Sequence, residues 1–566
     1  MNKRILVDPK DTVIIIESPN KIKKMKEYTS AKIIATVGHF KDIPNDNGLG
    51  IDLKTYQPIF KVVKGKNKLV SELKACRGKK IFIATDPDRE GYAIGTHVYN
   101  IVKKASNDVY RAEIREITYK GITEALQAAK RFSETNNGLY DAFLGRRVGD
   151  RLIGFLMSPL VSNSLKAVYS VGRVQSPGLR LVVDRENEIR NFKATSYFKL
   201  EIKLNSQNIE FKAYHEAGKI KEQEILDSIM KKISSADKKA VVNKIGSKKV
   251  VKSPKAPFTT STLQQAANNR LSLGVEQTME LAQGLFEKGL ITYHRTDSPR
   301  VSGEFINEAR ENIRAEYGQE YCPEKAYVYI SQNSQADAHE AIRPTHIYNS
   351  DDLNKIIKEN KLTEMHENLL RLIITRTIAS QMSQAIFDST KVTLRYGDEL
   401  FIASGSVMIS PGYNKIYEDL EKKDEDENDN LPKLAAGQIV DVIDFNKIMK
   451  WTKAPTRYTE ATLVKELEKR GIGRPSTYAS ILRTIKTRKY VKLVKKYLVP
   501  SPEGEKLIAY LKANYGWVID YDLTQTMENY LDLVEDKKAN WQDFVKKLHE
   551  HLGFIDPPAW TVSNKN

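Results

Sequence analysis

Cysteine is almost absent: Cys76 and Cys322 are the only two in 566 residues. That excludes a disulfide framework and any zinc site built from four cysteines, so the chain carries no zinc ribbon. No apolar run approaches the ~18 residues needed to cross a bilayer, and the first thirty residues lack a tripartite export signal. A cytoplasmic protein without membrane attachment is the expectation. No Gly-x-x-x-x-Gly-Lys-Ser/Thr phosphate loop occurs, and no repeat of 20–50 residues is evident. What remains, 40% hydrophobic and 29% charged residues, is the composition of an ordinary globular protein, long enough for three to five domains.

Acids are in deficit. Lys and Arg number 90 against 72 Asp and Glu, a formal charge of +18, which favours a polyanionic partner such as nucleic acid. The excess is concentrated: Lys453–Lys496 holds thirteen basic residues and three acids, and Arg146–Arg190 holds eight and four. Glu418–Asp429, with eight acids and two lysines, reads as a solvated loop turned away from a polyanion.

Short apolar runs at Val13–Ile16, Ile33–Ala35 and Ile81–Ala84 alternate with helical segments and predict a parallel sheet covered by helices. Residues 122–190 read as helix. Period-two alternation from Tyr197 to about Val251 predicts strands, and it returns at Lys391–Arg395 and Gln438–Val442. Helical spacing fills the interval from about Phe258 to Phe387, so a helical block is inserted into a β domain and could swing about its two connections. Beyond Tyr458, a helix over Ala461–Arg470, the Gly471-Ile472-Gly473 break, Ser476 as N-cap and a helix from Thr477 resemble a helix-turn-helix with a wing at Tyr490-Val491. The expected division is 1–125, an α/β domain; 126–195 and 451–560, two parts of a helical domain; 196–255 and 389–450, two parts of a β domain; and 256–388, the inserted block. The fold class is multidomain α/β plus α+β.

Asp86-Pro87-Asp88-Arg89-Glu90 follows the third apolar run and places three carboxylates at the carboxyl end of a strand, where open α/β sheets bind ligands. Glu17 ends the first run in the same way. If the two strands are neighbours, four carboxylates converge, and their repulsion is relieved by protons or a cation; hard oxygen ligands favour Mg²⁺. Helix-capping acids would account for one or two of them. Lys21, in the helical turn opened by Ser18-Pro19-Asn20, is a phosphate contact in waiting.

In the inserted block, extended chain at Tyr293-His294-Arg295 places Tyr293 and Arg295 on the same side. Ionising a phenol of ordinary acidity at neutral pH costs roughly 4 kcal/mol, and a cation ~4 Å away supplies up to about that much at an effective dielectric of 20. Arg295 is thus a candidate activator or phosphate grip. His339-Glu340-Ala341-Ile342-Arg343-Pro344, also in the block, offers a histidine and an arginine to a phosphodiester. Taken one by one, each cluster also fits an ordinary polar loop or core pair.

Taken together, Glu17-Ser18-Pro19-Asn20-Lys21, Val37-Gly38-His39-Phe40-Lys41-Asp42-Ile43-Pro44, Asp86-Pro87-Asp88-Arg89-Glu90-Gly91, Gly172-Arg173-Val174-Gln175-Ser176, Pro257–Leu263, Tyr293–Ser298, His339–Pro344 and Gly471–Thr477 resemble, in order and spacing, the motifs of type IA DNA topoisomerases over roughly residues 12 to 550. The resemblance implies an N-terminal Toprim domain within a toroidal core and Tyr293 as nucleophile. It implies Glu17, Asp86, Asp88 and Glu90 as the acidic Mg(2+) and acid/base site. Lys21 and Arg295 become phosphate contacts and His339 a helper at the scissile phosphate. His39, Arg146, Arg147, Asp150, Arg173, Gln175, Ser176, Arg343, Arg474, Ser476 and Thr477 become DNA contacts. Three features depart from the family's bacterial members: His294 stands where methionine is usual, Tyr92 where glutamate is usual, and the zinc ribbons that many carry are missing.

The implied reaction is ATP-independent, zinc-free cleavage of single-stranded DNA through a 5′-phosphotyrosine, with strand passage and resealing that relax negative supercoils. The expected partner is single-stranded or negatively supercoiled DNA, and the expected state a monomer located with that DNA. Three alternatives stay open: a decatenase like topoisomerase III; a Mg²⁺-dependent nuclease or primase built on the same acids, which would leave Tyr293 without a task; and a non-enzymatic DNA-binding protein.

Overall fold

The computed structural model describes residues 10–44, 48–234, 236–331, 339–418, 426–428 and 430–553. Most of the acidic stretch Glu418–Asp429 and the ends of the first and last expected domains lie outside them.

Strand β1 (Thr12–Ile16) is buried along its whole length. Its apolar run does not alternate because both faces of the sheet are covered. It pairs in parallel with β2 (Lys32–Ala35) on one side and β3 (Lys80–Ile83) on the other. Beyond β3, β4 (Val109–Arg111) is parallel and β5 (Lys130–Arg131) antiparallel, giving the order β2-β1-β3-β4-β5. Helix α1 (Lys21–Met25) follows β1, and α2 (Arg89–Val102) follows β3. Because β1 and β3 are parallel neighbours, Glu17 and the Asp86–Glu90 segment emerge at the same sheet edge.

Two long helices come next, α3 (Gly138–Leu165) and α4 (Gln175–Asn191). Their apolar residues, Leu152 and Leu179 among them, share one core with Leu463, Leu482, Leu507, Leu531 and Leu548 from the far end of the chain. Segments nearly three hundred residues apart therefore form one packed body.

Between them runs a second sheet made from β6 (Ser196–Ser206), β7 (Ile209–His215), β8 (Lys239–Lys252), β9 (Ala385–Tyr396), β10 (Glu399–Ser410), β11 (Glu427–Asn428) and β12 (Ile439–Trp451), in the order β9-β8-β12-β6-β7-β10-β11. β9 also pairs with β10, so the sheet closes on itself. The inserted block leaves after Lys252 and returns at Ala385, and these two residues are direct cross-strand partners. The returning strand opens ahead of the Lys391–Arg395 alternation because its first residues are half-buried without a regular in-out pattern.

The block opens with α5 (Thr260–Leu271) and α6 (Val275–Glu287). The chain later forms α7 (Glu460–Lys469), α8 (Tyr478–Thr487) and a hairpin of β13 (Val491–Val494) with β14 (Tyr497–Pro500), which is the expected wing. The N-cap of α8 is a correction. Thr477, not Ser476, occupies it, and the Thr477 hydroxyl turns back to accept from the Arg474 amide at 2.8 Å. The Gly471 and Gly473 backbones at φ 63° and 80° make that turn.

Candidate active site

The carboxyl edge of β1 and β3 gathers the acids. Glu17 accepts from the Asp86 amide at 3.2 Å, and the Lys21 ammonium, itself buried, pairs with the Asp86 carboxylate. Arg111 on β4 braces the loop from below, donating to the Thr85 and Asp86 carbonyls at 2.7 and 2.8 Å. A Cβ at Gly91 would stand 2.3 Å from the Asp86 carbonyl oxygen, so any larger residue there would push the acidic loop outward. Asp88 is the N-cap of α2, accepting from Gly91 at 2.8 Å. The capping role and the site role thus fall on one residue, one oxygen serving each.

The second Asp88 oxygen accepts from the Tyr293 hydroxyl at 2.7 Å and from Arg295 at 3.1 Å. Tyr293 and Arg295, two apart in extended chain, do reach the same group. The Tyr293 amide also donates to the Arg115 carbonyl at 2.9 Å, fixing the block against the α/β domain. Tyr293 is buried, and its ring meets Phe286 edge-on at 5.3 Å.

Burial, reinforced by Asp88 and Asp86, pushes the Tyr293 phenol well above its ordinary value; Arg295 works the other way and is outweighed. As an activator of the free phenol, Arg295 is therefore insufficient in this arrangement. Burial and then the neighbouring Asp86 push Glu17 well above the usual carboxylate range. Burial also disfavours charge on Asp86 and Asp88, but Lys21 holds the first below the usual range and Arg295 the second. His294, buried and next to Arg295, falls to about 3 and is neutral.

Among the described residues no three ligating side chains already stand in a coordinating arrangement. Asp86 is drawn to Lys21, Asp88 to Tyr293 and Arg295, and Glu90 to His39 at 2.9 Å. The donor chemistry nonetheless fits Mg²⁺: the acids offer hard oxygens only, and Glu17 and Asp86 stand side by side, the Asp86 amide donating to the Glu17 carboxylate.

A cleft of about 330 Å³ opens over this cluster, lined by Asp88, Glu90, Arg146, Arg295, His339, Arg474 and Ser476 among others. The sequence-predicted residues thus meet at one place, with exceptions. Arg173 lies outside the cleft lining: its side chain is 1% exposed, held between Asp150 at 2.9 Å and Glu528 at 2.5 Å. So does Arg343, buried on Glu340 at 2.7 Å and Glu116 at 3.2 Å. Ser176 is buried and accepts from Gly172; Thr477 is buried at its cap. In each case an internal partner takes the polar group away from the cleft. Arg146 and Arg147 face Asp150 and Asp42, and Gln175 donates to Ser170. Much of the Arg146–Arg190 charge is neutralised inside the protein, whereas Lys492, Lys495 and Lys496 on the wing are exposed.

Arg115 was not singled out by sequence. It lies just beyond β4, lines the cleft, and points a half-exposed guanidinium beside Glu113. Its position at the carboxyl end of a parallel strand, like that of Glu17, is the signal that could have found it. Arg89, inside the acidic motif, reaches away to Asp532 and Glu535 and ties the α/β domain to the helical body.

Comparison with known proteins agrees with this geometry. Residues 134–546 match the family model described as DNA topoisomerase, and residues 12–117 match the Toprim domain. The structure is similar to that of full-length topoisomerase I from Thermotoga maritima, with a TM-score of 0.83 and 33% identity over 96% of this chain and 90% of that one. A match across most of the chain, together with a tyrosine, an arginine and a Toprim aspartate joined at one carboxylate, places it: the chain belongs to the type IA DNA topoisomerase family.

Proposed function

We propose that the chain cleaves, passes and reseals single-stranded DNA without ATP, relaxing negative supercoils. The observation that carries this reading is the Tyr293–Asp88–Arg295 junction, which brings the nucleophile of the inserted block to the acids of the Toprim sheet. The Tyr293 oxygen bonds to phosphorus as the bond from phosphorus to the 3′-oxygen breaks, leaving a 5′-phosphotyrosine and a 3′-hydroxyl. The phenol proton passes to Asp88, its hydrogen-bond acceptor. Glu17, whose acidity burial weakens, is the group that gives a proton to the departing 3′-oxygen. Arg295, Lys21 and His339 face the phosphate. One phosphate ester replaces another, so the bond energy is kept for resealing.

Asp86, Asp88, Glu90 and Glu17 are the residues that would hold Mg(2+), which when bound supplies positive charge beside the scissile phosphate. The paired β8 and β9 strands, flanking both connections of the block, form a two-stranded hinge on which it swings to admit a second strand. Denaturant added during incubation with a single-stranded oligonucleotide and Mg²⁺ tests the reading: DNA should remain covalently attached to the wild type and not to Tyr293→Phe. The mass of the tyrosine-linked nucleotide peptide should identify residue 293. Relaxation of negatively supercoiled plasmid should outpace separation of linked circles, and the reverse order would favour a decatenase.

A further inference from the structure

Glu287, the last residue of α6, is a buried carboxylate with no task in the reaction just described. Its oxygens accept from the Ser18 hydroxyl at 2.5 Å and from the Asn20 side-chain amide at 2.9 Å, both on the far side of the boundary between the inserted block and the Toprim domain. Its own helix supplies one further donor, Gln283 at 3.1 Å. Ser18 and Asn20 form the turn that launches α1 and therefore place Lys21. Within the Toprim domain that turn is held by the backbone bonds Lys21 N to Ser18 O at 3.4 Å and Ile22 N to Pro19 O at 3.1 Å and by the Lys21–Asp86 pair, but it has no side-chain cap: Asn20 makes no capping bond, and Asn20 N to Ser18 Oγ is 3.4 Å. The neighbouring residue, Phe286, seats the Lys21 ammonium over its ring at 5.0 Å and meets the Tyr293 ring edge-on at 5.3 Å.

We infer that Glu287 is a positioning residue that makes the placement of Lys21 conditional on closure of the block against the Toprim domain. This rests on the proposed cleavage and strand-passage reading. When the block swings away, Ser18 and Asn20 lose their acceptor and Lys21 loses the ring beneath it, so the Lys21 turn loosens while the nick is open. When it returns, Glu287 re-forms the turn and resealing resumes. The nick is thereby protected from premature chemistry.

The experiment follows resealing of a preformed oligonucleotide adduct after high salt stops new cleavage. Glu287→Ala should still form the Tyr293 adduct but reseal about tenfold more slowly, the size expected on losing hydrogen bonds to a charged group. Glu287→Gln, whose amide oxygen still accepts from Ser18, should recover most of the rate. The double variant Ser18→Ala/Asn20→Ala, which alters only the two donors and leaves the block untouched, should match Glu287→Ala, and combining all three changes should slow resealing no further. Wild-type resealing rates in Glu287→Ala, or in the donor double variant should Glu287→Ala fail to fold, would overturn the inference, as would effects that add in full. A wild type that forms no adduct would instead sink the cleavage reading on which it stands.

Discussion

Tyr293 donates its phenolic proton to Asp88 across 2.7 Å, and this one hydrogen bond joins the inserted block to a loop more than two hundred residues earlier in the chain. The acceptor is the capping residue of α2, so the Tyr293 hydroxyl is aligned by the same group that starts a helix.

The pH dependence of adduct formation follows from the two acids. Asp88 is held below the ordinary aspartate value of about 3.9, so the proton acceptor is lost only in stronger acid than that. Glu17 is raised above the ordinary glutamate value of about 4.3, so the proton donor is lost as pH climbs through its raised value. The cleavage rate should therefore fall on both sides. Glu17→Gln should lower the rate and abolish the alkaline fall, and added Mg²⁺ should move that fall to lower pH by favouring the ionised form. Adduct yield against pH in rapid-quench experiments measures all three.

Asp86→Asn combined with Asp88→Asn should abolish plasmid relaxation and leave oligonucleotide affinity largely intact. Lys21 and Arg295 would lose ionic partners, but the backbone contacts of Arg111 to this loop remain. Loss of binding as well, measured by fluorescence anisotropy, would mean that these carboxylates serve folding.

Arg115→Ala should reduce adduct formation by about 10- to 100-fold, the range for removing one charged hydrogen bond to a phosphate. Thermal stability should change little, since the guanidinium is half-exposed. The expected pattern is a slower chemical step with unchanged oligonucleotide affinity.

The wing carries exposed charge that the Arg146–Arg190 segment has spent on internal pairs. Replacing Lys492, Lys495 and Lys496 by Gln should lower the salt slope of single-strand binding by up to about 2, at ~0.7 per phosphate neutralised. An unchanged slope would place the DNA track elsewhere.

Arg173 and Glu528 form a buried pair, and Glu528 is held at about 2. Its folded value lies below the unfolded value of about 4.3, so its stabilisation is complete above the latter and is lost as pH falls towards the former. Glu528→Gln leaves Arg173 with Asp150 as its one remaining carboxylate partner and should cost about 3 kcal/mol, the low end for breaking a buried pair, measured by urea unfolding at neutral pH. Arg173→Ala should cost a similar amount, with the double variant well short of the sum.

The sequence by itself determined the parallel sheet and the inserted helical block, and it named the residues to which the proposed reaction assigns roles. Apolar runs and period-two alternation are local consequences of burial, and Tyr293, Asp86, Asp88 and Lys21 sit in short motifs whose order survives in one dimension. Only tertiary structure decided which charges face the cleft. Arg173 and Arg474 look alike in a string of letters, yet Asp150 from the preceding helix and Glu528 from the far end of the chain close over the first, while the second lines the cleft. The same holds for acidity. Glu17 and Asp86 are both strand-end carboxylates, and their opposite shifts arise because burial and the neighbouring Asp86 outweigh Lys21 at Glu17, whereas Lys21 pairs directly with Asp86 and outweighs its burial. Burial and pairing depend on what folds back from a distance, and local sequence does not carry that information.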